Sequence, residues 1–130
     1  MERIRHDNGL TLYRVESGKE GPHLLVFGAI HGDEVAGTIV LNELLEKIEN
    51  DTFKLDKGTL TFCPVCNPLA HEKDQRYVDT NLNRMFGEFD KSNCGYETSI
   101  SDVLMGYIDE CDYLLDLHST HKPGDPVFVF

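Results

Sequence analysis

The chain has 130 residues, with 12 Lys and Arg against 23 Asp and Glu, a formal net charge of −11. That length suits one domain with a buried core, and 40 % hydrophobic with 27 % charged residues is a globular balance, not a disordered one. The acidic excess excludes a nucleic-acid binder, which needs clustered Lys and Arg, and it disfavours an anionic membrane surface.

No apolar run approaches the ~20 residues of a membrane span. The opening Met1-Glu2-Arg3-Ile4-Arg5 lacks the apolar stretch of a signal peptide. A cytoplasmic location is therefore expected. Residues 2–6 and 10–16 flank Asp7-Asn8-Gly9 and predict a hairpin. Leu24 to Gly28 is a continuous apolar run, the pattern of a strand buried on both faces. Asp33 is a candidate cap for a helix reaching Glu49, on which Val35, Ile39, Leu41, Leu44, Leu45 and Ile48 recur at helical spacing. Lys57-Gly58 turns the chain into a strand over 59–65. Cys63 and Cys66 close that strand as a C-x-x-C pair. A redox motif of this kind normally opens a helix, and Asn67-Pro68 discourages one, which favours two small buried side chains at a strand end. Cys94 and Cys111 form no second close pair, so a zinc ribbon is not indicated.

Residues 67–95 are polar and irregular, too long for an idle connection. Ser99 to Glu110 predicts a second helix, with Ile100, Val103, Leu104, Tyr107 and Ile108 on one face. Asp112 to Leu117 predicts a third core strand. Lys122-Pro123-Gly124-Asp125 reads as a turn, and Val127 to Phe130 as the start of a further strand. This alternation indicates an α/β fold, a mixed and largely parallel sheet flanked by helices.

In such sheets ligands gather beyond the carboxyl ends of the strands. His31 and Glu34 follow the strand 24–28, His118 follows 112–117, and Arg76, Asn83 and Arg84 lie in the loop after 59–65. The i, i+3 spacing of His31 and Glu34 across a turn that Gly32 keeps tight can aim both at one point. His118 would complete a two-His, one-Glu set, a known donor composition for catalytic zinc with a position left open for water. Taken singly, His31 is an ordinary turn histidine, His118 a strand-end histidine, and His121 a competing ligand. Their conjunction at strand ends favours the metal. Arg84, with Asn83, can grip a substrate carboxylate, and Arg76 is placed to stabilise an oxyanion. A surface ion pair is the plainer alternative for each arginine.

Four ordered motifs carry a resemblance. His31-Gly32-Asp33-Glu34, Asn67-Pro68-Leu69-Ala70, the run from Arg76 to Phe86, and Asp116-Leu117-His118-Ser119 resemble the succinylglutamate desuccinylase/aspartoacylase family, part of the wider zinc carboxypeptidase-like fold. The resemblance runs from about residue 24 to 120. It implies Zn2+ on His31, Glu34 and His118, and hydrolysis of the amide of a small acidic N-acyl amino acid, of the N-succinylglutamate or N-acetylaspartate type. It implies that Arg76 polarises the scissile carbonyl while Asn83 and Arg84 bind a substrate carboxylate. Two departures stand out. The family usually has Asp where this chain has Asn81, which removes a charge that could orient the arginine. The family's general base is a glutamate on a strand well beyond the second histidine, and the only acid after His118 is Asp125, in a turn.

Residues 1–130 are therefore expected to form a single zinc-binding catalytic domain, the amino-terminal part of a longer enzyme, lacking the general base and inactive alone. The rival readings are a carboxypeptidase-like peptidase, a non-catalytic metal- or amino-acid-binding module, and a thiol oxidoreductase using Cys63 and Cys66. No feature of the chain specifies an oligomeric state.

Overall fold

In a computed structural model, which describes residues 1–87, 92 and 95–119, the Asp7-Asn8-Gly9 turn folds β1 (Glu2–Arg5) antiparallel onto β2 (Thr11–Glu16). Gly9 sits at φ 92°, where a side chain would be strained. β2 pairs antiparallel with β4 (Thr59–Cys63), and β4 pairs parallel with β3 (His23–Gly28). β5 (Tyr113–Leu117) joins the other edge of β3 in parallel, giving the order β1-β2-β4-β3-β5. The expected mixed sheet is present. Its parallel pairings join the three strands whose carboxyl ends carry the candidate residues.

Alternate residues of β3 face two cores. Leu25 and Phe27 pack with Leu10, Leu12, Ile100 and Leu104, beside α3 (Tyr96–Glu110). Val26 packs with Tyr13, Leu41, Leu60 and Phe62, beside α1 (Ala36–Glu49). The period-two alternation of a strand thus puts one helix on each face of the sheet.

Several sequence expectations shift. α1 has Val35 at its N-cap with no side-chain cap bond, so Asp33 is not its cap. Leu41 is buried, and Leu44, Leu45 and Ile48 pack against its cluster as the spacing has it, but Val35 and Ile39 are exposed, and Gly37 and Thr38 are buried beside Leu41. The reason is a close approach: a Cβ on Gly37 would lie 2.9 Å from Leu117 Cβ and 3.1 Å from Gly28 Cα. Thr38 Oγ1 also donates to the Pro64 carbonyl at 2.8 Å. Backbone contact and one hydrogen bond set the rotation of this helix, and a count of apolar side chains cannot register either.

Asn67-Pro68 does not prevent a helix but starts one. α2 (Pro68–Glu72) has Pro68 in its first turn, where the missing N–H is no loss, and the Asn67 side chain accepts from the Ala70 N–H. α3 begins at Tyr96 rather than Ser99, and its expected apolar face is inward, with Ile100 and Leu104 fully buried. β5 was expected in the core, yet Tyr113, Leu114 and Leu115 are exposed, because among the described residues it pairs only with β3. Cys63 and Cys66 are both fully buried at the end of β4, as the strand-end reading has it. Burial, followed by the neighbouring Cys63, pushes the Cys66 thiol well above its ordinary value. Cys94, His121, the 122–125 turn and the 127–130 strand lie outside the described residues. No helix among the described residues is long and apolar enough to cross a membrane.

Candidate metal centre

β3 ends in a turn that is clamped from below. The Cys66 N–H donates to Gly28 O at 2.9 Å and the Asn67 N–H to Ala29 O at 3.0 Å, so the entry to α2 is tied beneath the His31–Glu34 segment. Gly32 lies flush on α2. A Cβ there would collide with the backbone of Ala70 and His71 and come within 2.6 Å of Gln75 O. His71 Nδ1 adds a hydrogen bond of 2.7 Å to the Gly32 carbonyl. With its backbone held on both sides, the turn buries His31 and Glu34, at 2 % and 5 % exposure.

Glu34 is the centre of the group. His31 Nδ1 lies 2.9 Å from its Oε1, and His118 Nδ1, delivered by the end of β5, lies 2.9 Å from its Oε2. One ligand atom from each of the three residues falls within 4.8 Å of the others. The far ring nitrogens are also engaged. His31 Nε2 is 3.0 Å from Asn81 Oδ1, and that same oxygen accepts the Asn83 N–H at 3.0 Å, which fixes the amide orientation. His118 Nε2 is 2.7 Å from Asp116 Oδ2.

All four ring nitrogens face oxygens, Nε2 towards Asn81 or Asp116 and Nδ1 towards Glu34. A neutral imidazole donates through one nitrogen alone. Each ring therefore calls for a second proton or, with its hydrogen on Nε2, a cation between Nδ1 and the carboxylate. Two nitrogen donors, one carboxylate and an outer hydrogen bond on each ring form the donor set that suits zinc. The residues fit the metal that the sequence implied.

Electrostatics support the same grouping. Burial opposes the charge on Glu34, but the Ser119 N–H on Oε2, at 2.9 Å, and the two histidines outweigh it and hold the carboxyl below its ordinary value. The Asp116 hydrogen bond raises His118 above its ordinary value; burial opposes, and the Asp116 and Glu34 charges add to the rise. Arg76 reaches the rim with Nη1 3.1 Å from Glu34 Oε1, while 44 % of its side chain stays exposed. The Gly32 N–H donates to the Arg76 carbonyl, joining that loop to the turn.

His31, Glu34, His118 and Arg76 thus converge by direct contact. Asn83 and Arg84 occupy a short 3-10 turn, Leu82–Arg84, capped by the Asn81 side chain. Asn83 joins the group through Asn81, and Arg84 is exposed with Nη1 donating to the Asn83 carbonyl at 3.2 Å. Sequence reasoning assigned Asn81 to the arginine; the structure puts it on His31. Asp116 and Ser119 were also without roles, although they flank His118 in the same short motif. Glu97, described below, had no signal at all, because an acid in the first turn of a helix is ordinary.

A mixed α/β sheet here brings two imidazoles and a carboxylate together from two parallel strand ends, a donor set at that rim that could hold a metal ion. The family model for the succinylglutamate desuccinylase/aspartoacylase catalytic domain matches residues 20–125, and the chain belongs to this family. It is 32 % identical over 113 residues to an aspartoacylase from Danio rerio, covering 78 % of this chain and 35 % of that one. It is 26 % identical over 106 residues to a succinylglutamate desuccinylase from Shewanella piezotolerans, covering 79 % and 30 %. The crystal structure of an aspartoacylase family protein from Mesorhizobium loti superposes with a TM-score of 0.72 at 29 % identity, covering 85 % of this chain and 34 % of that one. The chain spans about a third of the length of these relatives. By their names the relatives are deacylases, so the family is one of hydrolases.

Proposed function

We propose that this chain carries the zinc-binding part of a deacylase that hydrolyses the amide of a small acidic N-acyl amino acid, of the N-acetylaspartate or N-succinylglutamate type. The observation that carries the proposal is the convergence of His31 Nδ1 and His118 Nδ1, each 2.9 Å from an oxygen of the buried Glu34 carboxylate, with the Arg76 guanidinium beside it. His31, Glu34 and His118 would hold the metal. When bound, zinc supplies Lewis-acid polarisation of a carbonyl and an acidified water.

The chain's own residues do the rest. Arg76 is half in solvent, so its guanidinium can meet a substrate oxygen as negative charge develops there. Arg84 and Asn83 offer a fork of donors to a substrate carboxylate. In a chain of net charge −11, an acidic substrate needs such local cations. Glu34 and Asp116 are each committed to the histidines, so in this proposal the proton acceptor comes from outside the described residues. Residues 1–130 act as one zinc-binding domain.

The test has two arms. Zinc should bind near one equivalent and be lost in His31→Ala. The full enzyme containing these residues should hydrolyse N-acetylaspartate or N-succinylglutamate, with kcat falling about 10²–10³-fold in Arg76→Ala. No stoichiometric zinc would overturn the proposal. Zinc without hydrolysis of either compound would make the site a binding module.

A further inference from the structure

Glu97 opens α3 fully buried, and it touches none of the residues discussed so far as ligands. Its Oε1 accepts from Asn67 Nδ2 at 3.1 Å and from the Val78 N–H at 2.6 Å. Its Oε2 accepts from the Asp79 N–H at 3.0 Å and the Thr80 N–H at 3.2 Å. Three successive backbone N–H groups thus converge on one carboxylate, an anion-binding nest whose anion is a side chain. The lock is reciprocal, because Asp79 Oδ2 accepts the Tyr96 N–H at 2.8 Å. Asn67 extends it to the metal turn through its own N–H on Ala29 O.

The segment held in this way belongs to no helix or strand. It has no ladder of hydrogen bonds to fix its shape. On one side of Val78–Thr80 stands Arg76, bonded to Glu34; on the other stands Asn81, bonded to His31. The Gly32 N–H holds the Arg76 carbonyl on one side, and the pinning of residues 78–80 fixes the chain between Arg76 and Asn81, so where residues 78–80 are held bears on both contacts from this loop to the triad.

We propose that Glu97 is a positioning residue for the metal centre: its buried carboxylate holds residues 78–80 so that Arg76 and Asn81 reach Glu34 and His31. The inference deepens the proposed function and rests on it for what the site does. The carboxylate is specifically required. A glutamine offers one oxygen and a donor NH2, and that NH2 would oppose backbone N–H groups that need acceptors.

The test measures amide exchange at Val78, Asp79 and Thr80 in the metal-free full chain, and zinc affinity by competition with a chromophoric chelator. Glu97→Gln keeps the volume and removes the charge. Glu97→Asp keeps the charge and withdraws it by one methylene. In Glu97→Gln, exchange at these three amides should accelerate about tenfold and zinc affinity should fall about tenfold, with Glu97→Asp between it and the unaltered chain in both. A merely structural role would speed exchange along α3 and leave zinc affinity unchanged. That result, or unchanged exchange at 78–80 in either variant, overturns the proposal. Should Glu97→Gln fail to fold, Glu97→Asp decides by the same two readouts. If the unaltered chain binds no zinc, the functional reading falls, and exchange confined to 78–80 still decides whether Glu97 holds the segment.

Discussion

The His31 Nε2 lies 3.0 Å from Asn81 Oδ1, so a neutral amide orients one of the two metal-directed imidazoles. The partner of His118, in contrast, is the charged Asp116. Outer hydrogen bonds of this kind typically change metal affinity by about 10–100-fold. Asn81→Ala should weaken zinc by that factor, since it frees the His31 ring to turn. Asn81→Asp, which restores the charge the family usually has, should tighten zinc several-fold. Chelator competition on the three proteins checks this; equal affinities would show that residue 81 does not set the ring.

The two titrating groups give opposite pH slopes in the metal-free protein. Glu34 is held below its ordinary 4.5, so its contribution to stability is present above that pH and is lost as pH falls through the lowered value. His118 is held above its ordinary 6.5, so its contribution is full below that pH and is lost as pH rises through the raised value. The metal-free Tm should therefore decline as pH rises above 6.5 and through the raised value of His118. Zinc competes with protons for the histidine nitrogens, so the zinc-dependent rise in Tm should grow over the same range. Thermal melts with chelator and with zinc read both slopes. Parallel slopes would mean that His118 is not a ligand.

Identical glycine-to-alanine changes should have opposite signs at two positions. At Gly32 the new methyl meets the backbone of Ala70 and His71, which cannot swing away. Gly32→Ala should cost about 1–3 kcal/mol or more and abolish zinc binding. Gly106 lies within α3 with nothing within 4 Å of an added Cβ. Gly106→Ala should stabilise by about 0.5–1 kcal/mol. Denaturant midpoints of the two variants settle both.

Cys63 and Cys66 should behave as core residues. Both are fully buried, and the Cys66 thiol is raised well above its ordinary value, chiefly by burial. A thiol reagent at neutral pH should modify them only at the rate of unfolding, whereas the partly exposed Cys111 reacts sooner. Fast modification of Cys63 in the folded chain would revive the redox reading.

The sequence by itself determined the elements and the donors. A continuous apolar run located β3, the Lys57-Gly58 turn marked the start of β4, and helical spacing located α1 and α3, because burial leaves a mark in the order of apolar residues. The short spacing of His31 and Glu34, and the place of His118 after an apolar run, exposed the candidate centre for the same local reason. Only the tertiary structure decided the rotation of α1, which depends on Gly37 meeting Gly28 and Leu117, contacts a glycine leaves unmarked in sequence. It alone moved Asn81 onto His31 and set Glu97 behind residues 78–80, since hydrogen bonds between distant segments have no period. The chemistry of the site was local and legible, while the support that aims it comes from strands and loops meeting across the fold.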